Sequence, residues 1–419
     1  MVHYDAVIIG GGGAGLISAI TAKKEGAKKV LVIERREELG GMLNFNINNA
    51  FGKGYYEEMI TGPEFIQRLI DEIKELQIEI KLNTMVLDIT KEKIIKVVSE
   101  DGVYNISCGT IILATGYRER PRGITNIPGN KHAGVYTAGA AQRFISREGY
   151  IPGKEVVIFG SSDSGLVIAK QLTIEGAKIK MILEVTPNIK GTLENYERCV
   201  ENFHIPVLFS HTILKVEGNE RLTALTISEV DEDKTPIKGT EKYIPCDTLI
   251  IAASNEPESI LLEKIGGEIN NNTLGVNVNE SYETNIDGIF AIGNVLYPHD
   301  YSEDITEEAI MAGKNAVKYL NGKKFAFDDI DVVAGENIIF VSPSHINLKN
   351  AQEKITFSFR PFTYCEEGNI VMYIDGEEKI KVPFEMLYSG ETMKLKLKKS
   401  MLSYDMKEIK FDILKTIVD

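Results

Sequence analysis

A stretch near the start of the chain recurs 150 residues later, and this internal repeat constrains the fold more than any other feature. Both copies have an apolar run that ends in glycine, a second glycine five residues on, and an acidic residue 19 residues after that. The matched pairs are Ala6–Gly10 with Val156–Gly160, Gly15 with Gly165, Gly26–Lys28 with Gly176–Lys178, and Glu34 with Glu184. A strand, a glycine turn, a helix and a second strand, present twice, predict two βαβ units of one kind.

The first copy has the glycine spacing of a dinucleotide-binding turn. Gly10, Gly12 and Gly15 form the pattern GxGxxG between a buried strand and a helix. Gly10 permits the tight turn, Gly12 lets the backbone approach a pyrophosphate, and Gly15 lets the helix pack on the sheet. The N-terminus of the helix then holds the anion. Glu34 ends the second strand, where its carboxylate can accept hydrogen bonds from ribose hydroxyls.

The second copy departs from this pattern at its central position. It reads Gly160–Gly165, and Ser162 places a β-carbon where a pyrophosphate needs close approach. Glu184 would repel a 2′-phosphate and bond a free 2′-hydroxyl, which favours NADH over NADPH. Two interpretations stay open: a working NADH site, or a Rossmann layer that has lost its ligand. The residues of such a site are Gly160, Ser162, Asp163, Ser164, Gly165 and Glu184.

Charge and hydropathy limit the partners and the compartment. Lys and Arg number 47 against 61 Asp and Glu, and the formal net charge of -14 argues against a nucleic-acid partner. No apolar run approaches the 18 or so residues of a membrane span. The first residues enter a strand pattern without the layout of a signal peptide. We therefore expect a cytoplasmic protein with no membrane span.

Three further motifs follow the first unit in chain order. Leu39–Gly41 comes after the second strand, Thr110–Leu113 leads into Ala114–Gly116, and Thr284–Val295 approximates TxxxGxFAxGD with Asn294 in place of the acid. Together with the repeat, these motifs resemble the two-dinucleotide-binding flavoproteins, relatives of thioredoxin reductase and glutathione reductase, over about residues 1–325. The resemblance implies FAD in the first unit and a nicotinamide nucleotide, NAD(H), in the second.

The resemblance also implies which residues hold FAD. They come from the glycine turn, the loop beside the pyrophosphate, the strand end beside the flavin and the stretch that reaches the ribityl chain. They are Gly10, Gly12, Gly13, Ala14, Gly15, Glu34, Arg35, Gly40, Gly41, Met42, Val86, Ala114, Thr115, Gly116, Gly293 and Asn294. The amide oxygen of Asn294 can still accept a hydrogen bond from a ribityl hydroxyl.

Within this class the chain resembles FAD-dependent oxidoreductases of anaerobes whose genes accompany a glycerol-3-phosphate dehydrogenase-like flavoprotein. The resemblance rests on short segments spread along the chain. They are Arg118–Gly123, Ala138–Gln142, Leu172–Ala177, Ile244–Leu249 and Gly293–Leu296 with His299-Asp300. It implies an electron-transfer subunit that passes reducing equivalents between a pyridine nucleotide and a partner flavoprotein. A homo-oligomer is also open.

The chain lacks the thiols of the disulfide reductases. Ala138–Ala141 stands where small thioredoxin reductases place CxxC, and the loop after Gly41 contains no cysteine. The four cysteines are separated by dozens of residues. The resembled anaerobe proteins carry Cys and His at the positions of Asn46 and Asn48. Disulfide reduction is therefore excluded at this stage.

Few residues are candidates for chemistry beyond the cofactor itself. His299 and Asp300 follow the Gly293 motif, where the chain would run near the isoalloxazine ring, so a proton-handling role is one interpretation. A solvated loop pair is the other. None of the six histidines lies at metal-ligand spacing from another, and we predict no metal site.

The predicted fold class is α/β, with two Rossmann-like βαβ dinucleotide-binding domains, one inserted in the other, and a small C-terminal β domain. Residues 1–118 and 249–325 form the FAD-binding domain, and residues 119–248 form the NAD(P)-binding-like domain. From residue 326 to 419 the sequence changes to short alternating runs with a hairpin signal at Asp375-Gly376. This last domain is either a docking or dimer surface, or a structural lid.

Three functions remain open at the sequence level. The first is an NADH-linked FAD oxidoreductase that acts with a partner protein. The second is an FAD-binding structural or assembly subunit with a vestigial nucleotide site, which Ser162 and Ala253-Ser254 favour because many class members have glycine there. The third is a subunit of an amine or imino-acid oxidase, since these proteins share the domain plan.

Overall fold

The computed structural model describes residues 2–120, 122–123, 125, 127–129, 131–253, 255–325 and 330–415. Pro121, Ser254 and residues 326–329 and 416–419, which figure in the sequence predictions, lie outside the described residues. Among the described helices, none combines the length and apolarity needed to cross a bilayer.

Residues 3–113 fold around one mixed sheet. Its elements are β1 (His3–Ile9), α1 (Gly13–Lys24), β2 (Val30–Ile33), β3 (Asn49–Phe51), α2 (Lys53–Tyr56), β4 (Ile60–Thr61), α3 (Gly62–Glu75), β5 (Glu79–Lys81), β6 (Met85–Ile89), β7 (Ile94–Ser99) and β8 (Gly102–Leu113). The strand order is β5-β2-β1-β8-β7-β6, in which β5, β2, β1 and β8 run parallel and β7 and β6 continue in antiparallel pairing. Because β1 and β2 lie inside the sheet, Ala6–Ile9 of β1 and all of β2 are buried apolar residues.

Residues 117–251 build a parallel sheet and an antiparallel one. The elements are β9 (Tyr117–Glu119), β10 (Val135–Thr137), α4 (Ala138–Glu148), β11 (Glu155–Phe159), α5 (Asp163–Ile174), β12 (Lys178–Leu183), α6 (Leu193–Cys199), β13 (Val207–Leu208), β14 (His211–Gly218), β15 (Leu222–Glu229), β16 (Lys242–Pro245) and β17 (Thr248–Ile251). The parallel order is β10-β17-β11-β12-β13, and β14-β15-β16 is antiparallel. The turn after β11 thus repeats the turn after β1.

The chain then returns to the first sheet and ends in two small sheets. The elements are β18 (Asn255–Pro257), α7 (Ile260–Glu263), β19 (Ile289–Ala291), α8 (Ser302–Leu320), β20 (Ile330–Ala334), β21 (Ile338–Ser342), β22 (His345–Ile346), β23 (Lys354–Pro361), β24 (Gly368–Ile374), β25 (Glu377–Phe384), β26 (Met393–Lys398) and β27 (Glu408–Lys415). β19 joins β8 in parallel, and the last strands pair as β22-β20-β27-β24-β25 and β21-β23-β26. The mixed α/β class is confirmed. The division at residues 118, 248 and 325 stays a proposal, which this pairing supports.

Helix α8 packs directly against α1. The contact is close because Gly313 has no side chain: a β-carbon there would lie 2.8 Å from the carbonyl oxygen of Ser18. Ala309, Ala312 and Ala316 continue this face and are fully buried. The packing brings the first turns of α8 to the glycine turn that precedes α1.

The C-terminal sheets contact both of the nucleotide-type units. Arg360 donates to Asp300 and to the hydroxyl of Thr392, and the Thr392 amide donates to the second Asp300 oxygen at 2.7 Å. On the other side, the Leu193 amide donates to Glu391 at 3.0 Å. The loop of residues 388–392, which we call the bridging loop, therefore touches both units.

Two carboxyl groups lie in the segment before β19: Glu280 is partly buried against the C-terminal sheets, and Glu283 is buried within the first unit. Glu280 accepts from the Asn347 amide at 2.8 Å, and Glu283 accepts from the Gly288 amide at 2.7 Å. Burial raises the pKa of Glu280 to about 7 and that of Glu283 to about 8. Each folded-state pKa lies above the ordinary value of 4.5, so these groups keep protons that the unfolded chain releases.

We expect these carboxyl groups to lower the free energy of unfolding as pH rises from 4.5 to about 8, because the folded state binds more protons in that window. In urea unfolding at several pH values, Glu283→Gln should gain stability relative to the unchanged chain as pH rises. Glu232→Gln, at an exposed position, is the matched control and should show no trend. An advantage of Glu283→Gln that shrinks with rising pH contradicts this account.

Candidate functional site

The first glycine turn has three motif glycines, of which two have no room for a β-carbon and one has free space beside it. Gly10 has a φ of 113°, and a β-carbon there would overlap the Ala114 carbonyl. A β-carbon at Gly15 would overlap the Gly10 carbonyl. At Gly12, by contrast, a β-carbon would meet nothing within 4 Å. The first and third glycines are thus required by packing, and the second faces free space.

This free space lies at the N-terminus of α1. Gly12 is the N-cap residue, it provides no side-chain acceptor, and the first turn has no acidic residue. The N–H groups that follow, including those of Gly13 and Ala14, are therefore not capped by the Gly12 residue. Gly293 packs beside them, since a β-carbon on it would lie 3.2 Å from that of Ala14. The corner has the properties of a phosphate-binding site.

Glu34 is fixed at the edge of this corner. Its carboxylate accepts from the Gly11 amide at 2.8 Å and from the Arg36 amide at 2.9 Å, one bond to each oxygen. A carboxylate oxygen can accept two hydrogen bonds, so each keeps capacity for a ribose hydroxyl. Arg35 is half-exposed and pairs with Glu258 at 3.4 Å.

The remaining predicted residues of the first unit lie in three places. The Gly40 amide donates to the Gly11 carbonyl, and Gly41 lies against Gly12, so this loop borders the open corner. Met42 follows and is 40% exposed. Ala114, Thr115 and Gly116 directly follow the end of β8, and Ala114 lies against Gly10 of the glycine turn. Val86 lies in β6 within the apolar core. Their roles toward FAD remain a proposal.

The second glycine turn keeps the backbone shape of the first. Gly160 has a φ of 103°, and a β-carbon there would lie 2.5 Å from the Ala252 carbonyl oxygen. A β-carbon at Gly165 would lie 2.5 Å from the Gly160 carbonyl oxygen. The Ser162 hydroxyl donates to that same Ala252 oxygen at 2.7 Å and lies 3.0 Å from the Ser164 hydroxyl. Ser162 therefore fits the turn without disturbing it.

Asp163 ties this turn to the loop before α6. Its carboxylate accepts from the Thr192 amide and hydroxyl at 2.9 and 3.0 Å, and from the Asn195 amide group at 2.8 Å. Burial raises the pKa of Asp163, and the hydrogen bonds from Asn195 and Thr192 oppose that rise. The side chain is thus engaged by the protein.

Glu184 has more protein donors than Glu34. One oxygen accepts from the Ser161 amide at 3.0 Å and hydroxyl at 2.7 Å, and the other accepts from the Thr186 amide and hydroxyl, both at 2.9 Å. The two amide bonds reproduce those of Glu34 at the same 150-residue offset. The two hydroxyl bonds are additional and occupy capacity that Glu34 retains.

His299 and Asp300 have different surroundings, and the interpretation as a solvated loop pair was wrong. The His299 side chain is 1% exposed, with Nε2 2.8 Å from a Glu308 oxygen, and its ring stacks on Tyr297 at 4.1 Å. Asp300 is bound by Arg360 and the Thr392 amide of the C-terminal sheets, as described above. The proton-handling role stays a prediction. Of the two residues, only His299 is connected to Gly293, through Glu308.

Sequence reasoning missed the residues that bind His299 and Asp300, which are Glu308 and Arg360. Glu308 is 4% exposed, and its carboxylate accepts a hydrogen bond from the Gly293 amide at 2.8 Å. It lies one position before Ala309 and four before Ala312, on the buried stripe of α8. That helical spacing could have indicated a buried acid. Arg360 gave no such signal, because its partner is 60 residues away.

All four cysteines are buried and unpaired. Burial raises the pKa of Cys108 and of Cys246 to about 12 and also raises that of Cys199. Within the described parts of the chain, no group of three or more potential ligands is arranged for a metal ion.

Known proteins match the chain over most of its length. Residues 4–318 match the family described as pyridine nucleotide-disulphide oxidoreductase. The chain is 24% identical to ferredoxin–NADP reductase of Picrophilus torridus, over 70% of this chain and 86% of that protein. It is 25% identical to NADH oxidase of Methanocaldococcus jannaschii, over 83% of this chain and 72% of that protein.

Two further similarities concern an oxidase subunit and a solved structure. The chain is 24% identical to sarcosine oxidase subunit alpha of a Corynebacterium species, over 61% of this chain but 27% of that protein. Thioredoxin reductase from Lactococcus lactis superposes with a TM-score of 0.63 at 21% identity, over 76% of this chain and all of that one. The structural likeness supports the α/β fold with two dinucleotide-binding domains.

The contrast between Gly12 and Gly10 gives a test of the first corner. Gly12→Ala should leave the thermal unfolding of the apoprotein unchanged and weaken FAD binding about 10-fold to 100-fold, because a methyl group in a filled site costs about 1–3 kcal/mol. Gly10→Ala is the contrasting variant and should lower thermal stability, since its methyl group overlaps Ala114. Flavin fluorescence titration and melting curves measure both. Wild-type FAD affinity in Gly12→Ala would refute the assignment.

Proposed function

Because the chain belongs to the pyridine nucleotide-disulphide oxidoreductase family, we propose that it transfers hydride between NAD(H) and bound FAD and exchanges electrons with a partner protein. Members of this family use FAD and NAD(P)H. FAD, when bound, supplies a ring system that accepts or releases hydride. The protein then has to hold the two nucleotides, orient them and keep water out.

The observation that carries the proposal is the open corner at Gly12. The neighbouring glycines are packed by the chain itself, and a β-carbon at Gly12 would enter free space at the end of α1. Glu34 stands at the edge of that space with capacity left on both oxygens. A pyrophosphate at the helix end and a ribose at the carboxylate would satisfy both groups.

The second unit supports a nicotinamide nucleotide by its shape. Its turn has a similar positive φ at Gly160, and Glu184 accepts from two backbone amides that are equivalent to those that bind Glu34. A carboxylate at this position would repel a 2′-phosphate, so we propose NADH as the reductant rather than NADPH. The NADH oxidase among the relatives is compatible with that choice.

We further propose that the protein is not a disulfide reductase, although the family includes thioredoxin reductases. The support is the absence of a CxxC pair and the burial of all four cysteines. A thiol whose pKa is raised by burial, as at Cys108, is a poor nucleophile because little thiolate forms at neutral pH.

A second candidate function is an FAD-binding structural or assembly subunit with a vestigial nucleotide site. The observation that favours it is the saturation of Glu184 by the hydroxyls of Ser161 and Thr186. In addition, the bridging loop lies on the adjacent segment: a β-carbon at Gly390 would be 2.5 Å from the Gly191 carbonyl oxygen. A nucleotide would have to displace some of these contacts.

The partner stays a proposal as well. The resemblance to proteins encoded beside a glycerol-3-phosphate dehydrogenase-like flavoprotein suggests that class of partner. The alpha subunits of sarcosine oxidase are subunits by name, and this chain spans 27% of the Corynebacterium protein. An oxidase subunit for amines or imino acids is therefore the third candidate.

Anaerobic mixing with NADH tests the first function directly. We expect excess NADH to bleach the visible flavin absorbance of the holoprotein, and NADPH to do so more slowly because Glu184 repels its 2′-phosphate. Dithionite provides the fully reduced reference. A flavin that dithionite bleaches and NADH leaves unchanged would sink the proposal.

Ser162→Gly separates the first candidate from the second. If the second unit works, removal of the β-carbon should raise the affinity for NADH several-fold, because a pyrophosphate can then approach the turn more closely. Stopped-flow flavin reduction at varied NADH gives the apparent dissociation constant. Ser210→Gly, outside the turn and at a φ of 52°, is a control for the serine change alone. Absence of NADH reduction in both the unchanged chain and Ser162→Gly favours the vestigial site.

A further inference from the structure

A buried hydrogen-bonded pair lies directly beneath the stretch predicted to reach the ribityl chain. The His299 ring and the Glu308 carboxylate are joined at 2.8 Å, with side chains that are 1% and 5% exposed. The other Glu308 oxygen accepts from the Gly293 amide at 2.8 Å. The sequence expectation gave His299 a proton-handling role and gave Glu308 none.

The same pair engages the side chain of Asn294. The Asn294 oxygen accepts from the His299 backbone amide at 2.9 Å and lies 3.2 Å from the ring Nδ1 of His299. A backbone amide can only donate, so the orientation of the carboxamide is determined: its oxygen faces His299. The oxygen thus already faces two nitrogen atoms of His299, which leaves it less capacity for the ribityl hydroxyl that the sequence expectation assigned to it.

The NH₂ group of Asn294 is left for another partner. Among the described residues, none accepts a hydrogen bond from it, and Asn294 is only half-buried. The preceding residue, Gly293, lies against Ala14 at the start of α1, beside the open corner. Asn294 therefore directly follows a residue that borders the place proposed for FAD.

We propose that His299 and Glu308 form a positioning pair that turns Asn294 so that its NH₂ group, rather than its oxygen, is offered to the ribityl chain of FAD. The inference rests on the proposed function, because it takes the corner at Gly12 to hold FAD. His299 holds the carboxamide oxygen, and Glu308 holds both the ring and the Gly293 backbone. Neither touches the reacting atoms in this role.

The surroundings fix the His299 ring tightly enough for this purpose. Its Nδ1 also lies 2.9 Å from the Tyr297 carbonyl oxygen, so both ring nitrogens face oxygen atoms. The Tyr297 ring stacks on it at an interplanar angle of 20°, and Phe340 of the C-terminal sheets covers Tyr297 at 4.4 Å. The C-terminal sheets thereby support the pair from behind.

A double-mutant cycle on FAD binding tests the inference. The apoproteins of Asn294→Ala, His299→Phe and the double variant are titrated with FAD. Asn294→Ala should weaken binding about 5-fold, because it removes one hydrogen bond worth about 1 kcal/mol. His299→Phe should weaken binding by up to about that factor, because it removes the ring contact and retains the backbone amide bond to Asn294. The double variant should bind no more weakly than Asn294→Ala, since the His299 ring acts through Asn294. Independent effects, which multiply to as much as about 25-fold, overturn the proposal.

Two further measurements keep the result interpretable. Phe at position 299 retains the stacking on Tyr297, and melting of the apoproteins shows whether each variant folds. His345→Phe, at another histidine placed between two carboxylates, is the matched control and should bind FAD as the unchanged chain does. If His299→Phe does not fold, Glu308→Gln and Glu308→Ala replace it: Gln can bond both the Gly293 amide and the ring and should retain FAD affinity, and Ala should not. Equal losses in the two variants contradict the proposal.

The outcomes also separate this inference from the proposed function. A chain that binds no FAD overturns both. A chain that binds FAD with multiplicative effects overturns the positioning pair alone. A chain that shows the expected coupling but no reduction by NADH retains the pair and loses the proposed function.

Discussion

The hydrogen bond from each glycine turn to the acid that ends the next strand holds both nucleotide-type corners in shape. The Gly11 amide bonds Glu34 at 2.8 Å, and the Ser161 amide bonds Glu184 at 3.0 Å. A buried carboxylate without such a donor would be strongly destabilising, so the turn and the acid depend on each other. The two units differ mainly in what else the carboxylate contacts.

Much of the fold could be predicted because its signals are local. The GxGxxG spacing, the apolar strands and the acid 19 residues after Gly15 lie within one βαβ unit, and the repeat extended the argument to the second. The return of the chain to the first sheet could be predicted from the Thr284–Val295 motif alone. The structure confirms the α/β class that these patterns indicated. The effect of Ser162 was not local, because its hydroxyl donates to the carbonyl oxygen of Ala252, which follows β17 and is 90 residues later in the chain.

The rest of the site depends on contacts between distant residues, which have no pattern in a single sequence. The burial of His299 follows from Glu308 and Tyr297, and the engagement of Asp300 follows from Arg360, 60 residues later. His299 and Asp300 are adjacent in the sequence, but their side chains bind different parts of the protein. One faces the proposed flavin corner and the other faces the C-terminal sheets. Only the helical spacing around Glu308 carried a signal of its burial.

The close approach of Gly390 to Gly191 ties together two positions that are 199 residues apart in the chain. A β-carbon at Gly390 would lie 2.5 Å from the Gly191 carbonyl oxygen, so a side chain there would require movement of the opposite backbone. During divergence, the C-terminal region and the second unit therefore cannot change independently at this seam. If either part were exchanged between homologous chains, the two segments would fit only where the position of Gly390 still lacked a side chain.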